Sequence, residues 1–179
     1  MEKIHWRYAL KPDKVFIQPY ADDEREYAEI EIIEADVGGE KSVRRLAEII
    51  FHAIPYPMLL VFRRSEKTAL FMGKIRSSQA DGEKMTLEEM QASDWLEKDA
   101  PLWETMALPK MNAANFWMLY QNWFDVLSRY NFEVETGIAV ALSGEEARVA
   151  LKRLEQIEAE IVSLRAKMKK NRSSTERWS

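Results

Sequence analysis

Few residues in this 179-residue chain are placed to do chemistry. Glu29 and Glu31 alternate along a β-patterned segment, so their carboxylates share one strand face and could hold a divalent cation, with the acids of 22–26 nearby. The commoner use of that pattern is the solvated side of a half-buried strand. A restriction-type nuclease core also wants an acid, any residue and a lysine along one strand, the lysine assisting the attacking water. No lysine here has Asp or Glu two positions before it. His5 and His52 lie far apart with no HExxH or GxSxG around them, which removes the motif basis for zinc or serine hydrolysis. His52, close to a helix end, reads as a satisfied or capping histidine. Six scattered glycines make no GxGxxG or phosphate-cradling loop. Cysteine is absent, so thiolate zinc sites, iron–sulfur clusters, disulfides and cysteine nucleophiles are excluded. The expectation is a protein without cofactor or metal, suited to a reducing cytoplasm.

Charge adds one feature. The formal net charge is −4, but residues 165–179 carry six Lys/Arg and one Glu, leaving twenty basic against twenty-nine acidic residues before them. A body of about −9 repels phosphate, whereas a short basic end formed by Arg165, Lys167, Lys169, Lys170, Arg172 and Arg177 can touch nucleic acid weakly and without sequence preference. The alternative is a solvated chain end. Trp6, Arg7, Tyr8 and Lys11 make a second basic-aromatic patch, of the sort that stacks single-stranded bases or, more ordinarily, packs on one side of a sheet. Trp117, Trp123 and Phe124 suit either a partner interface or the closing of a core.

These residues need elements to hold them. Ile4, Trp6, Tyr8 and Leu10 alternate, the pattern breaks at Lys11-Pro12-Asp13-Lys14, and it resumes through Val15, Phe16 and Ile17, which predicts an N-terminal β-hairpin. Residues 27–37 predict a strand that changes face at Ile32/Ile33, so either a bulge sits there or both faces are buried; Gly38-Gly39 ends it. Val43, Leu46, Ala47, Ile50 and Ile54 form a helical stripe stopped by Ile54-Pro55-Tyr56-Pro57. Residues 58–62 form an apolar central strand, Ser65-Glu66-Lys67 turns it into a hairpin with 68–75, and a right-handed β-α-β crossover follows from the order strand, helix, strand. Asp81-Gly82 predicts a turn before a strand at 85–90, and residues 96–110 predict an irregular connection.

Asn112 is placed to cap an apolar helix reaching Tyr130. Residues 131–142 are ambiguous, and Ser143-Gly144-Glu145-Glu146 has the form of a capping box opening a long helix to Asn171. Along it Ala147, Ala150, Leu154, Ile157, Ile161, Leu164 and Met168 keep a strict 3,4 spacing, the seam of a coiled coil. With Ala147 at a heptad a position, Arg153 and Glu158, and Glu160 and Arg165, become complementary g–e′ pairs of a parallel homodimer, while Lys167 and Arg172 break the pattern. The same stripe could instead pack in cis on the domain or on the preceding helix. The division is thus an α+β domain at 1–130, a connection at 131–142, a heptad-patterned helix at 143–171 and a basic tail at 172–179. Its fold class is α+β: a mixed sheet of hairpins and one β-α-β crossover, covered by helices, with a long C-terminal coiled-coil-like helix.

The order Ile4-His5-Trp6, the 27–37 strand, Ile54-Pro55-Tyr56-Pro57 followed by Met58-Leu59-Leu60-Val61-Phe62, then Ser93-Asp94-Trp95-Leu96 and Leu108-Pro109 before two helices, resembles the bacterial domain-of-unknown-function 4391 family. Against that family the chain looks short both before the Trp6 strand and beyond Arg172-Ser173. The resemblance brings no catalytic residue. It implies a setting, since such proteins are often encoded beside helicases and DNA methyltransferases of restriction-like or phage-defence loci. The reading is a non-catalytic accessory or adaptor subunit with a helicase or methyltransferase as partner, or with a second copy of itself, through Leu154, Ile157, Ile161, Leu164 and Met168. A divergent metal-dependent nuclease using Glu29 and Glu31, and a module binding a small molecule or nucleotide, are the alternatives.

Overall fold

The computed structural model describes residues 3–38, 43–77, 85–139 and 141–175, with side chains given except at 77, 85 and 170–175. The Asp81-Gly82 turn and Gly39 lie outside these residues. Five strands form one mixed sheet in the order β1 (Ile4–Leu10), β4 (Ile30–Asp36), β5 (Met58–Arg64), β6 (Lys67–Ser77) and β7 (Met85–Ala92). Strands β4 and β5 run parallel and are joined by helix α2 (Val43–Ala53); all other neighbours are antiparallel. The fold is α+β, as the order of apolar patterns implies.

The expected N-terminal hairpin does not form. Pro12 opens a single helical turn, α1 (Pro12–Val15), and Phe16 closes it in the left-handed region at φ 57°. Strand β1 finds its partner in β4 instead. Its register shifts between Trp6 and Tyr8, opposite Ile33 and Ile32. The extra residue at that shift is Arg7 of β1, and β4 itself pairs with β5 without a break, so the face change read in β4 comes from burial on two sides and not from a bulge in that strand. Ile30 lies in the apolar layer beneath α4 (Phe116–Thr136), whereas Ile33 and Ala35 lie in the layer beneath α2. The short strands β2 (Tyr20–Ala21) and β3 (Glu26–Tyr27) pair across a turn in which the Asp22 carboxylate accepts the N–H groups of Glu24 and Arg25.

Residues 96–110 hold more structure than expected. Pro101 starts α3 (Pro101–Thr105) and Pro109 is the second residue of a 3₁₀ turn (Leu108–Lys110), both within the first turn, where a missing N–H costs nothing. The cap of α4 is Asn115, whose side chain accepts from Met118 N at 2.8 Å, rather than Asn112. Phe116 N bonds Gln18 O, which sets where the helix starts, and Asn112 turns the approaching loop by accepting from Ala114 N. Helix α4 continues to Thr136, into the stretch read as connection, and stops at Gly137 with φ 68°.

Tyr120 of α4 reaches into the sheet. The β5–β6 ladder ends at Leu59 and Met72; at the next position the Tyr120 hydroxyl accepts from Gly73 N (3.1 Å) and faces the carbonyls of Met58 (3.0 Å) and Gly73 (2.9 Å). Gly73 has no room for a side chain, since a Cβ would stand 2.7 Å from Leu87 and 3.0 Å from Phe51 of α2. Both helical layers thus converge on one sheet position.

Candidate functional site

Helix α5 (Gly144–Thr175) begins with the expected capping box: Glu146 N bonds Ser143 Oγ at 3.2 Å, and Ser143 N bonds the Glu146 carboxylate at 2.8 Å. Those bonds hold the Glu146 carboxyl below its usual range. The first turns are seated on α4. Gly144 lies so close to Asp125 that a Cβ would overlap its side chain, and Ala147 is fully buried. Arg148 then ties three elements together, bonding Asp125 at 2.7 Å, Ser128 Oγ at 3.2 Å and Glu89 of β7 at 3.2 Å, with its guanidinium over the Phe124 ring. This anchor escaped the sequence reading because Asp125 and Glu89 lie 23 and 59 residues away, with nothing local to mark them.

Leu151 and Leu154 are half-buried, and from Glu155 to Lys169 every side chain is exposed. The helix therefore leaves the body after its third turn and projects about 30 Å to Thr175. The heptad seam is split by this geometry. Ala147, Ala150 and Leu154 are wholly or partly covered, whereas Ile157 (40% exposed), Ile161 (41%), Leu164 (57%) and Met168 (71%) have no covering partner among the described residues. Arg165, Lys167 and Lys169 stand on the same free segment without an ion pair among the described residues. The side chains of Lys170 and Arg172, and all of Arg177, lie outside the described residues.

The carboxylates singled out for metal chemistry are otherwise engaged. Glu31 is 4% exposed and accepts the Trp6 indole N–H, and the nearby Glu29 pairs with Lys11 at 3.3 Å. Burial pushes the Glu31 carboxyl up, the Trp6 bond opposes this, and the neighbouring Glu29 charge adds to it. Asp22 is used by its own turn. Among the described residues no three His, Asp or Glu side chains converge to hold a metal. The basic-aromatic patch is similarly paired: Arg7 bonds Glu34 at 2.7 Å and Arg63 reaches the same carboxylate at 3.4 Å, while Trp6 and Tyr8 are half-exposed. His5 lies 3.6 Å from Asp36, and His52 is exposed in the last turn of α2. Trp123 and Phe124 are buried in the layer beneath α4, the Trp123 indole bonding Met106 O at 2.8 Å, and Trp117 packs on Tyr20 and Tyr27. These aromatics close the core.

A cleft of about 320 Å³ runs where α5 leaves the body, between Ala92 and Asp94 on one side and Asn131, Leu154 and Glu158 on the other. It is shallow and polar, and no convergent donor set marks it for a particular ligand. Among the described residues no helix is long and apolar enough to cross a membrane.

No curated protein and no solved structure matches the chain. A family model does, over residues 1–179 and so over the whole length, and the chain belongs to that family, DUF4391, a domain of unknown function.

Proposed function

We propose that this protein is a non-catalytic accessory subunit of a DNA-processing or phage-defence assembly in the cytoplasm, and that α5 is its assembly element. The observation carrying the reading is the projecting helix itself. An isolated helix this polar is marginal in water, and four large apolar side chains at 3,4 spacing, uncovered among the described residues, form the seam that a helical partner buries. The buried aromatics and the engaged Glu31 support a scaffold more than an exposed reaction centre. The basic end of α5 adds a weak, salt-sensitive attraction to phosphate.

The test is purification of the native protein from its own cells, beside an Ile157→Lys, Ile161→Lys variant. A helicase or DNA methyltransferase that accompanies the native chain and is lost with the variant is the expected result. Cleavage of plasmid or single-stranded DNA by the pure protein with Mg²⁺ or Mn²⁺, abolished by Glu31→Ala, would replace the accessory role with the nuclease one.

A further inference from the structure

We propose that the free part of α5 pairs with the same segment of a second copy of this chain in antiparallel register, centred between Ile161 and Leu164. The inference rests on α5 being the assembly element and names what covers it. Its first support is the pattern left exposed. Once the base of the helix is spent on the body, the free apolar positions 157, 161, 164 and 168 have spacings 4, 3, 4, which read the same in both directions. Reversed on itself, the segment stacks Ile157 on Met168 and Ile161 on Leu164, so every layer is apolar.

The charges reverse as well. Glu158 and Arg165 flank one side of the stripe, and Glu160 and Lys167 flank the other. In an antiparallel pair like flanks meet, which sets Glu158 against Arg165 of the second copy and Glu160 against its Lys167, each contact occurring twice. The acidic stretch that includes Glu155 then lies along the basic stretch that includes Lys169. A parallel pair matches Arg153 with Glu158 and Glu160 with Arg165, but it sets Lys167 against Arg172 and brings both globular bodies to one end. The antiparallel arrangement places the bodies at opposite ends and uses the lysine that the parallel one wastes. With only four layers the interface is small, so the pairing is weak, is favoured by high protein concentration and weakens further as salt screens its flanks.

The chain has no cysteine, so introduced ones report alone. Single variants Ile157→Cys and Met168→Cys, both at exposed positions, are mixed at about 100 µM in a glutathione buffer and their products weighed by mass spectrometry. The two positions are about 16 Å apart along the helix, beyond the reach of a disulfide in any parallel register that stacks like on like. Antiparallel pairing gives the mixed 157–168 disulfide as the main product. Symmetric 157–157 and 168–168 products would overturn the register and leave α5 as the assembly element. A monomeric mass at about 200 µM without cross-links would overturn self-pairing. In that case co-purification that still depends on Ile157 and Ile161 keeps the assembly reading, and co-purification indifferent to them removes both.

Discussion

Tyr120→Phe is the sharpest test of how the layers are locked. The substitution keeps the ring, fully buried against Tyr27 and the sheet, and removes only the hydroxyl. Burial pushes that phenol above its usual range, so it stays protonated at any pH at which the fold is studied. A hydroxyl accepts from Gly73 N while donating to one carbonyl at a time, of Met58 or of Gly73, so two hydrogen bonds are lost in a dry site. Each buried group left without a partner costs about 1–3 kcal/mol, which places the loss for the two at about 2–6 kcal/mol. For a chain of this length that lowers Tm by about 4–24 °C, and urea unfolding should show a lower midpoint with an unchanged slope. Ser128→Ala is the comparison: its hydroxyl donates to Phe124 O of its own helix and accepts from Arg148, which keeps Asp125 and Glu89, so its removal leaves the β5–β6 ladder untouched and costs less. A loss below about 1 kcal/mol for Tyr120→Phe would show that the sheet closes over the gap and that the hydroxyl does not hold β5 and β6 at this point.

Glu31→Gln keeps an acceptor for Trp6 and removes the charge. Because the folded-state pKa of Glu31 is raised, the native protein binds its proton more tightly than the unfolded chain and loses stability as pH rises through the raised value; the variant should be more stable than the parent near pH 8 and equal to it near about pH 3, and an equal difference at both would refute the shift. Gly144→Ala pushes a methyl group into Asp125, and the overpacking, about 1–3 kcal/mol, should appear as faster hydrogen exchange in the first turns of α5 while β5 and β6 stay protected. Deleting residues 165–179 should abolish any DNA mobility shift seen at about 50 mM salt and leave Tm nearly unchanged, since the described side chains removed touch nothing in the body; a retained shift with the same salt slope would move the contact to Trp6, Arg7, Tyr8 and Lys11.

Local signals suffice where one element answers to its own residues. The stripe of α2 and its proline stop, the apolar run of β5 and the Ser143/Glu146 capping box each depend on neighbours within a few positions, and each is found in place. What depends on a distant partner was decided by tertiary structure. Residues 4–10 have the alternation of a strand whichever neighbour they take; only packing shows that β4 offers an apolar register that Val15–Ile17, behind a proline turn, cannot. Asn112 and Asn115 are equally good caps by type, and the bond from Phe116 N to Gln18 O selects the second. Glu31 reads as a solvated carboxylate by alternation, yet the Trp6 side chain across the β1 bulge covers it. The heptad seam of α5 is written continuously from Ala147 to Met168, because spacing alone determines which residues share a helix face. How much of that face stays free depends on where Arg148 finds Asp125 and Glu89, and on Asp125 leaving space for a glycine and nothing larger.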